Sequence, residues 1–144
     1  MTDIASLGVG DALPALEKPP ITRTTLALFC GASNDHNPIH VDIDFARKAG
    51  MDDVFAHGML SMAYLGQMLT NWVPQSAIRA FSVRFGAITH LGDRITCSGK
   101  VVDVFEEDGE MRLRLDLVAA DQSGEAKLSG QAIVAASQEK RVKP

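Results

Sequence analysis

His57-Gly58-Met59-Leu60-Ser61-Met62-Ala63-Tyr64-Leu65-Gly66-Gln67-Met68-Leu69-Thr70-Asn71-Trp72 is the stretch on which the fold turns. It is long and rich in helix formers, with apolar residues at nearly every angle around the axis. Such a helix is expected to be buried on all sides rather than to keep one wet face. Pro74 marks its end. From Ala77 onward the hydrophobic period falls to two, as Phe81, Val83 and Phe85 alternate with Ser82 and Arg84. Further strands are expected over about Arg94 to Phe105, Met111 to Leu117 and Ala126 to Ala136. Asp108-Gly109 and Ser123-Gly124 supply the turns between them. Met111, Leu113, Leu115 and Leu117 share one face, and Arg112, Arg114 and Asp116 the other. Antiparallel strands of this kind bury one face and wet the other. The expected architecture is α+β, a curved antiparallel sheet wrapped around a long central helix. Such a sheet leaves an open edge, so pairing into a dimer is expected.

The chain ahead of the helix is less regular. Gly8 to Pro20 reads as an irregular lead-in with one short strand, and Ile21 to Thr24 as a strand end. Thr24 or Thr25 is expected to cap a helix through Leu26, Ala27, Phe29 and Cys30. Ser33 to Pro38 is dense in loop formers, and Asp44 is expected to cap a short helix over Phe45 to Ala49, ended by Gly50. With 144 residues the chain makes one domain, assigned to 1–137. A basic tail, 138–144, carries Lys140, Arg141 and Lys143. The 14 Lys and Arg against 18 Asp and Glu give a net charge of −4, which argues against a nucleic-acid partner. Two cysteines, Cys30 and Cys97, exclude a disulfide scaffold and make a reducing cytoplasm the expected location. The first ten residues have no signal-peptide pattern, and no apolar run is long enough to span a membrane.

Chemistry concentrates in two places, Asn34-Asp35-His36-Asn37-Pro38-Ile39-His40-Val41-Asp42 and Ala56-His57-Gly58-Met59. Pro38 bends the chain between Asp35 and His40, which lets the two side chains converge on one point. A carboxylate and an imidazole can hold a water between an acceptor and a proton carrier. Spacing alone equally allows Asp35 an Asx turn and His40 a place in the core. Asn37 is positioned to orient the pair or to form the turn. Gly58 opens the long helix, where backbone N–H groups lack intrahelical partners and a ligand oxygen can approach closely. That is the geometry of an oxyanion hole. Close packing of helix on sheet is the other reading of the same glycine. His57 reads as a capping or packing residue, with a direct catalytic role as the other reading. A metal site is not expected: Pro38 separates His36 from His40, and the two cysteines are isolated. Cys30 reads as inert core, and no glycine-rich phosphate loop is present.

Taken together, Asp35-His36-Asn37-Pro38-Ile39-His40 and Ala56-His57-Gly58-Met59 resemble the signature of the MaoC-like, (R)-specific enoyl-CoA hydratase and dehydratase family. Phe29 and Gly31 before the first motif, Val41-Asp42 after it, and Phe81 to Phe85 leading to Gly92-Asp93 extend the likeness over about residues 5 to 135. The segment Gly86 to His90 departs from it in lacking a proline. The resemblance implies a hot-dog fold and a dimer binding acyl thioesters near the subunit interface. It implies reversible syn hydration of trans-2-enoyl-CoA, or the acyl-carrier-protein equivalent, to (R)-3-hydroxyacyl thioesters. No cofactor is implied beyond the CoA or phosphopantetheine that the substrate carries. By position the catalytic pair falls on Asp35 and His40, the oxyanion N–H on Gly58 and a positioning role on Asn37. His57, Met59 and Arg84 are the expected substrate contacts, with Arg79, Arg47 and Lys48 as further basic candidates for the nucleotide end of CoA. Other readings are the catalytic subunit of a heterodimeric dehydratase for long-chain or steroid side-chain thioesters, a non-enzymatic acyl-binding subunit, and a hot-dog thioesterase.

Overall fold

The computed structural model describes residues 4–136; the tail assigned to 138–144 lies outside the described residues. Three helices precede or interrupt the strands: α1 (Arg23–Ser33), α2 (Ile43–Lys48) and α3 (Gly58–Trp72). The strands are β1 (Leu16–Glu17), β2 (Ile78–Phe85), β3 (Thr96–Glu107), β4 (Glu110–Ala120) and β5 (Ala126–Ala135). They form one antiparallel sheet in the order β1-β3-β4-β5-β2. The sheet curls as a half-barrel around α3, the hot-dog arrangement. None of the described helices is long and apolar enough to cross a membrane.

The core lies between α3 and the concave face of β3, β4 and β5. Leu60, Leu65, Met68, Leu69 and Trp72 of α3 meet Val101, Leu113, Leu115, Leu117 and Val134. The helix is not buried on all sides as its composition predicts. Met59 is 51% exposed, and Met62, Ala63 and Gly66 line an open cavity. The apolar residues on that side face space that a ligand or a second chain can fill.

Helix starts differ from the sequence expectation by one or two residues, for a clear reason. Thr22, not Thr24 or Thr25, caps α1, and it exchanges bonds with Thr25 in a capping box. Asp42, not Asp44, caps α2, accepting from the N–H groups of Asp44 and Phe45. Each run holds several capping side chains, and the one used is the one whose backbone is still extended. The segment Ile21 to Thr24 therefore begins a helix rather than ending a strand. At the β3–β4 turn Asp108 and Gly109 both have positive φ, 55° and 73°, as the hairpin signal requires.

Two features brace the sheet. Gly130 of β5 pairs with Val83 of β2, and a Cβ there would lie 2.2 Å from the Ser82 carbonyl oxygen. Backbone cannot swing aside as a side chain can. Gly130→Ala is therefore expected to destabilise the fold by about 2–3 kcal/mol, read as a lower urea midpoint at unchanged m-value. A midpoint equal to wild type would mean that β2 can draw away from β5 freely.

The second brace is Lys127, 2% exposed despite its charge. Its ammonium lies 2.6 Å from Glu125, 3.3 Å from Asp121 and 3.7 Å from Asp93, and donates to the Ile88 carbonyl at 2.9 Å. Asp93 in turn accepts from the His90 N–H, and the Lys127 carbonyl accepts from the Gly86 N–H. The loop following β2 is thereby tied to the β4–β5 turn. That loop pairs with the strand-like segment before α3, through Ala56 N–H to the Thr89 carbonyl.

Candidate active site

The loop between α1 and α2 builds itself from short-range bonds. Asn34 ends α1 in the left-handed region, φ 59°. The Ser33 hydroxyl then accepts from the Asp35 N–H, Asp35 Oδ1 from the Asn37 N–H, and Asn37 Oδ1 from the Ile39 N–H. Three side chains in a row each satisfy the backbone two residues on, which is what such residues do best outside helices. Pro38 opens the 3-10 turn that ends in His40. Asn37 is thus a turn-forming residue, capping that turn. Asp35 Oδ2 accepts from none of the described residues, so it is available to a water or ligand.

His40 is 8% exposed, and its Nδ1 lies 2.7 Å from the Phe55 carbonyl oxygen. A carbonyl only accepts, so Nδ1 carries the proton and Nε2 presents a lone pair. The carboxylate of Asp35 and ring nitrogens of His40 and His57 all lie within 4.8 Å of one another. One water making two hydrogen bonds of about 2.8 Å spans such a gap.

His57 is 1% exposed and stacks on His40, with ring centroids 3.8 Å apart and planes 25° apart. The Phe29 ring packs edge-on against the His57 ring, with centroids 4.9 Å apart. Nε2 of His57 lies 3.3 Å from the Asp35 carbonyl oxygen and 3.4 Å from the Cys30 sulfur. Burial first, and the neighbouring His40 second, hold the His57 imidazolium below the ordinary histidine range. His57 is the N-cap residue of α3 by position, but its side chain makes no capping bond.

The same cluster could be read as a metal centre, and ring geometry argues against that. A metal sits in the plane of each ligating imidazole, about 2.0–2.1 Å along its lone pair. The rings of His40 and His57, 3.8 Å apart with planes only 25° apart, lie in near-parallel planes, so one ion close to both rings cannot lie in the plane of each. Oxygen and proton chemistry suits the arrangement better than metal ligation.

At α3 the first N–H groups have no intrahelical partner. Leu60 N–H is taken by the His57 carbonyl, which leaves those of Gly58 and Met59. A Cβ on Gly58 would lie 2.7 Å from a ring carbon of Phe85, so the ring covers this glycine closely. Next to it is a cavity of about 390 Å³ lined by Phe29, Ser33, Asp35, Met59, Met62, Ala63, Gly66 and Phe81. Its walls are mostly apolar, with Asp35 the only ionisable group among them.

The structure therefore gathers Asp35, His40, His57, Gly58 and Met59, and shows Asn37 shaping their loop. Arg84 is different. It alternates with Phe81, Val83 and Phe85 along β2 and lines a groove on the outer sheet face with Ser82, Asp116 and Gln131. Within one chain that face is turned away from the cavity, because strand neighbours point to opposite sides. Arg79 is engaged by Glu110 at 2.8 Å. Arg47 reaches the Asp52 carbonyl at 3.4 Å. Cys97 is fully buried, and burial pushes its thiol up to about 12, which removes it as a nucleophile at neutral pH. Sequence reasoning missed the Phe55 carbonyl, and it missed Ala63, Gly66 and Phe81 as cavity walls. Only the wall residues left a signal, in the apolar side of α3 that the sheet does not cover.

Residues 9–120 match the family profile described as MaoC like domain. Over 116 residues the chain is 31% identical to an (R)-specific enoyl-CoA hydratase of Rhodospirillum rubrum, covering 79% of this chain and 78% of that protein. It is 30% identical over 89 residues to a mitochondrial 3-hydroxyacyl-acyl-carrier-protein dehydratase of Arabidopsis thaliana, 62% of this chain but only 52% of that protein's length. The unliganded R-hydratase PhaJ1 of Pseudomonas aeruginosa superposes with a TM-score of 0.81 at 25% identity, over 99% of this chain and 94% of that one.

Proposed function

The chain belongs to the MaoC-like domain family of hydratases and dehydratases, and from that premise we propose that it catalyses reversible syn hydration of trans-2-enoyl thioesters to (R)-3-hydroxyacyl thioesters. The observation that carries this reading is the pairing of Asp35 with a His40 whose Nδ1 is anchored to the Phe55 carbonyl, beside an apolar cavity. The acyl chain occupies that cavity against Met59. The thioester oxygen accepts from the Gly58 N–H at the positive end of α3, which draws electrons away from C3. A water held between Asp35 and His40 Nε2 adds its oxygen to C3 and yields its proton to the pair. The pair returns a proton to C2 on the same face. One water is consumed, and both residues end in their starting states. The two groups share one water and act as a unit, so proton donor and acceptor are properties of the pair.

Hydration moves no electrons, so the reading needs no redox cofactor, and the ring geometry favours a water over a metal between the two groups. The partner is the CoA or acyl-carrier thioester itself. A second copy of the chain is expected on the open edge of β2, near the exposed Phe85 and Met59. A cytoplasmic setting with reduced Cys30 and Cys97 goes with this reading.

The test is a panel of trans-2-enoyl-CoA thioesters of increasing length and bulk. Loss of the conjugated absorbance, with (R)-3-hydroxyacyl product and no free thiol, is the expected result. Thiol release would make the protein a thioesterase. Turnover that requires a second related subunit would make it one half of a heterodimeric dehydratase. Acyl binding without turnover under either condition would leave an acyl-binding subunit.

A further inference from the structure

His57 touches both members of the pair. Its ring stacks on His40, and its Nε2 faces the backbone carbonyl of Asp35. That carbonyl can only accept, so the neutral ring carries its proton on Nε2. Nδ1 is then a bare acceptor, buried and without a hydrogen-bond partner among the described residues. One helical turn along α3, the Ser61 hydroxyl is 0% exposed and also without a partner. Positions four apart on a helix face the same way. The two orphans are complementary, one needing a donor and the other able to donate. Leaving both buried groups unsatisfied would be costly; they are not directly bonded to each other, and one water accepting from the Ser61 O–H and donating to Nδ1 satisfies both.

We propose that His57 is a positioning residue, locked as the Nε2–H tautomer by Ser61, that sets the distance between Asp35 and His40. The ring fixes the plane of His40 from one side while holding the backbone of Asp35 from its edge. His57 makes no substrate contact in this account, in contrast to the sequence expectation. Being buried and neutral, it adds no charge beside His40. Cys30, at 3.4 Å from the same Nε2, is a soft neighbour and not the locking group. The inference rests on the hydratase reading for its kinetic consequence but not for its structural one.

The experiment therefore has two arms. Nitrogen-15 spectra of the full-length protein, with His57 assigned by substitution, report the tautomer without any substrate. Wild type is expected to show a protonated Nε2 and a hydrogen-bonded, unprotonated Nδ1. In Ser61→Ala the Nδ1 resonance should shift to that of an imidazole nitrogen lacking the donor. In the kinetic arm, Ser61→Ala is expected to lower kcat about tenfold to a hundredfold, with KM within about twofold, while the orphaned Nδ1 lowers the thermal midpoint by several degrees without unfolding the protein at assay temperature. His57→Phe keeps the stacked ring but loses both nitrogens, and should fall at least as far in kcat. Ser61→Ala is nearly isosteric, so it carries the test should His57→Phe misfold. A protonated Nδ1 in wild type overturns the proposal. So does a Ser61→Ala variant with unchanged kcat, or a raised KM at unchanged kcat, the signature of a substrate contact. Wild type inactive on every enoyl thioester would defeat the hydratase reading alone, since the spectra still decide the state of His57.

Discussion

Asp35→Asn and His40→Gln should each lower turnover of trans-2-enoyl thioesters by about 10²–10⁴-fold, with the folded fraction unchanged. Asparagine retains an oxygen for the Asn37 N–H, so the loop keeps its turn while the charge disappears. Glutamine at 40 can still donate to the Phe55 carbonyl but offers no nitrogen lone pair to a water. The chemistry is therefore removed while the scaffold stays. Residues that act as a unit lose most of their effect with the first substitution. The double variant is accordingly expected to be little slower than the worse single one, and a fully multiplicative loss would show the two acting separately. Wild-type rates in both single variants, with thermal midpoints intact, would sink the assigned pair.

Lys127→Met should produce the largest loss of stability of any single substitution remote from the site, about 3 kcal/mol. Methionine fills the space of the stem but leaves Asp93, Asp121 and Glu125 facing one another with no cation. The value stands at the low end for a buried ion cluster because Glu125 keeps 58% of its side-chain surface in water. The pH dependence has a definite sign. Asp121 is held at about 2, chiefly by the Ser123 hydroxyl and then by backbone N–H groups and Lys127, which is below its unfolded value. Its contribution is present above the unfolded carboxylate range and is lost as pH falls towards 2. Without Lys127, protonation relieves repulsion, so the gap between variant and wild type should narrow on acidification from pH 7. Urea midpoints measured across that range decide it. A gap that stays constant would mean that the lysine stem, and not its charge, braces the loop.

These two residues mark what the amino-acid sequence makes legible. Asp35 and His40 stand out because turn formers surround them and a proline forces the bend, all within six residues. The helix and the alternation of β4 are likewise local signals, as Leu113, Leu115 and Leu117 show. Lys127 gives no sign of itself. It is the one charged residue of β5, and although Asp121 and Glu125 lie in the adjoining turn, nothing in the sequence shows that Asp93 and the Ile88 carbonyl close over it. The placing of Arg84 is hidden for a related reason. Its charge is visible, but which sheet face it occupies follows from Phe81 and Phe85 packing towards α3. Ser61 and His57 could be placed on one helix face from their spacing, yet their missing partners are evident only once the surrounding side chains close over them.

The acceptor that orients His40 is a main-chain oxygen. Replacing Phe55 by any other amino acid leaves that oxygen in place, so a scan of single substitutions would score the position by its ring alone. The hydrogen bond that orients His40 thus survives point mutation at its anchor, and a substitution there costs only the edge-on contact of the Phe55 ring with the imidazole, 5.3 Å between centroids.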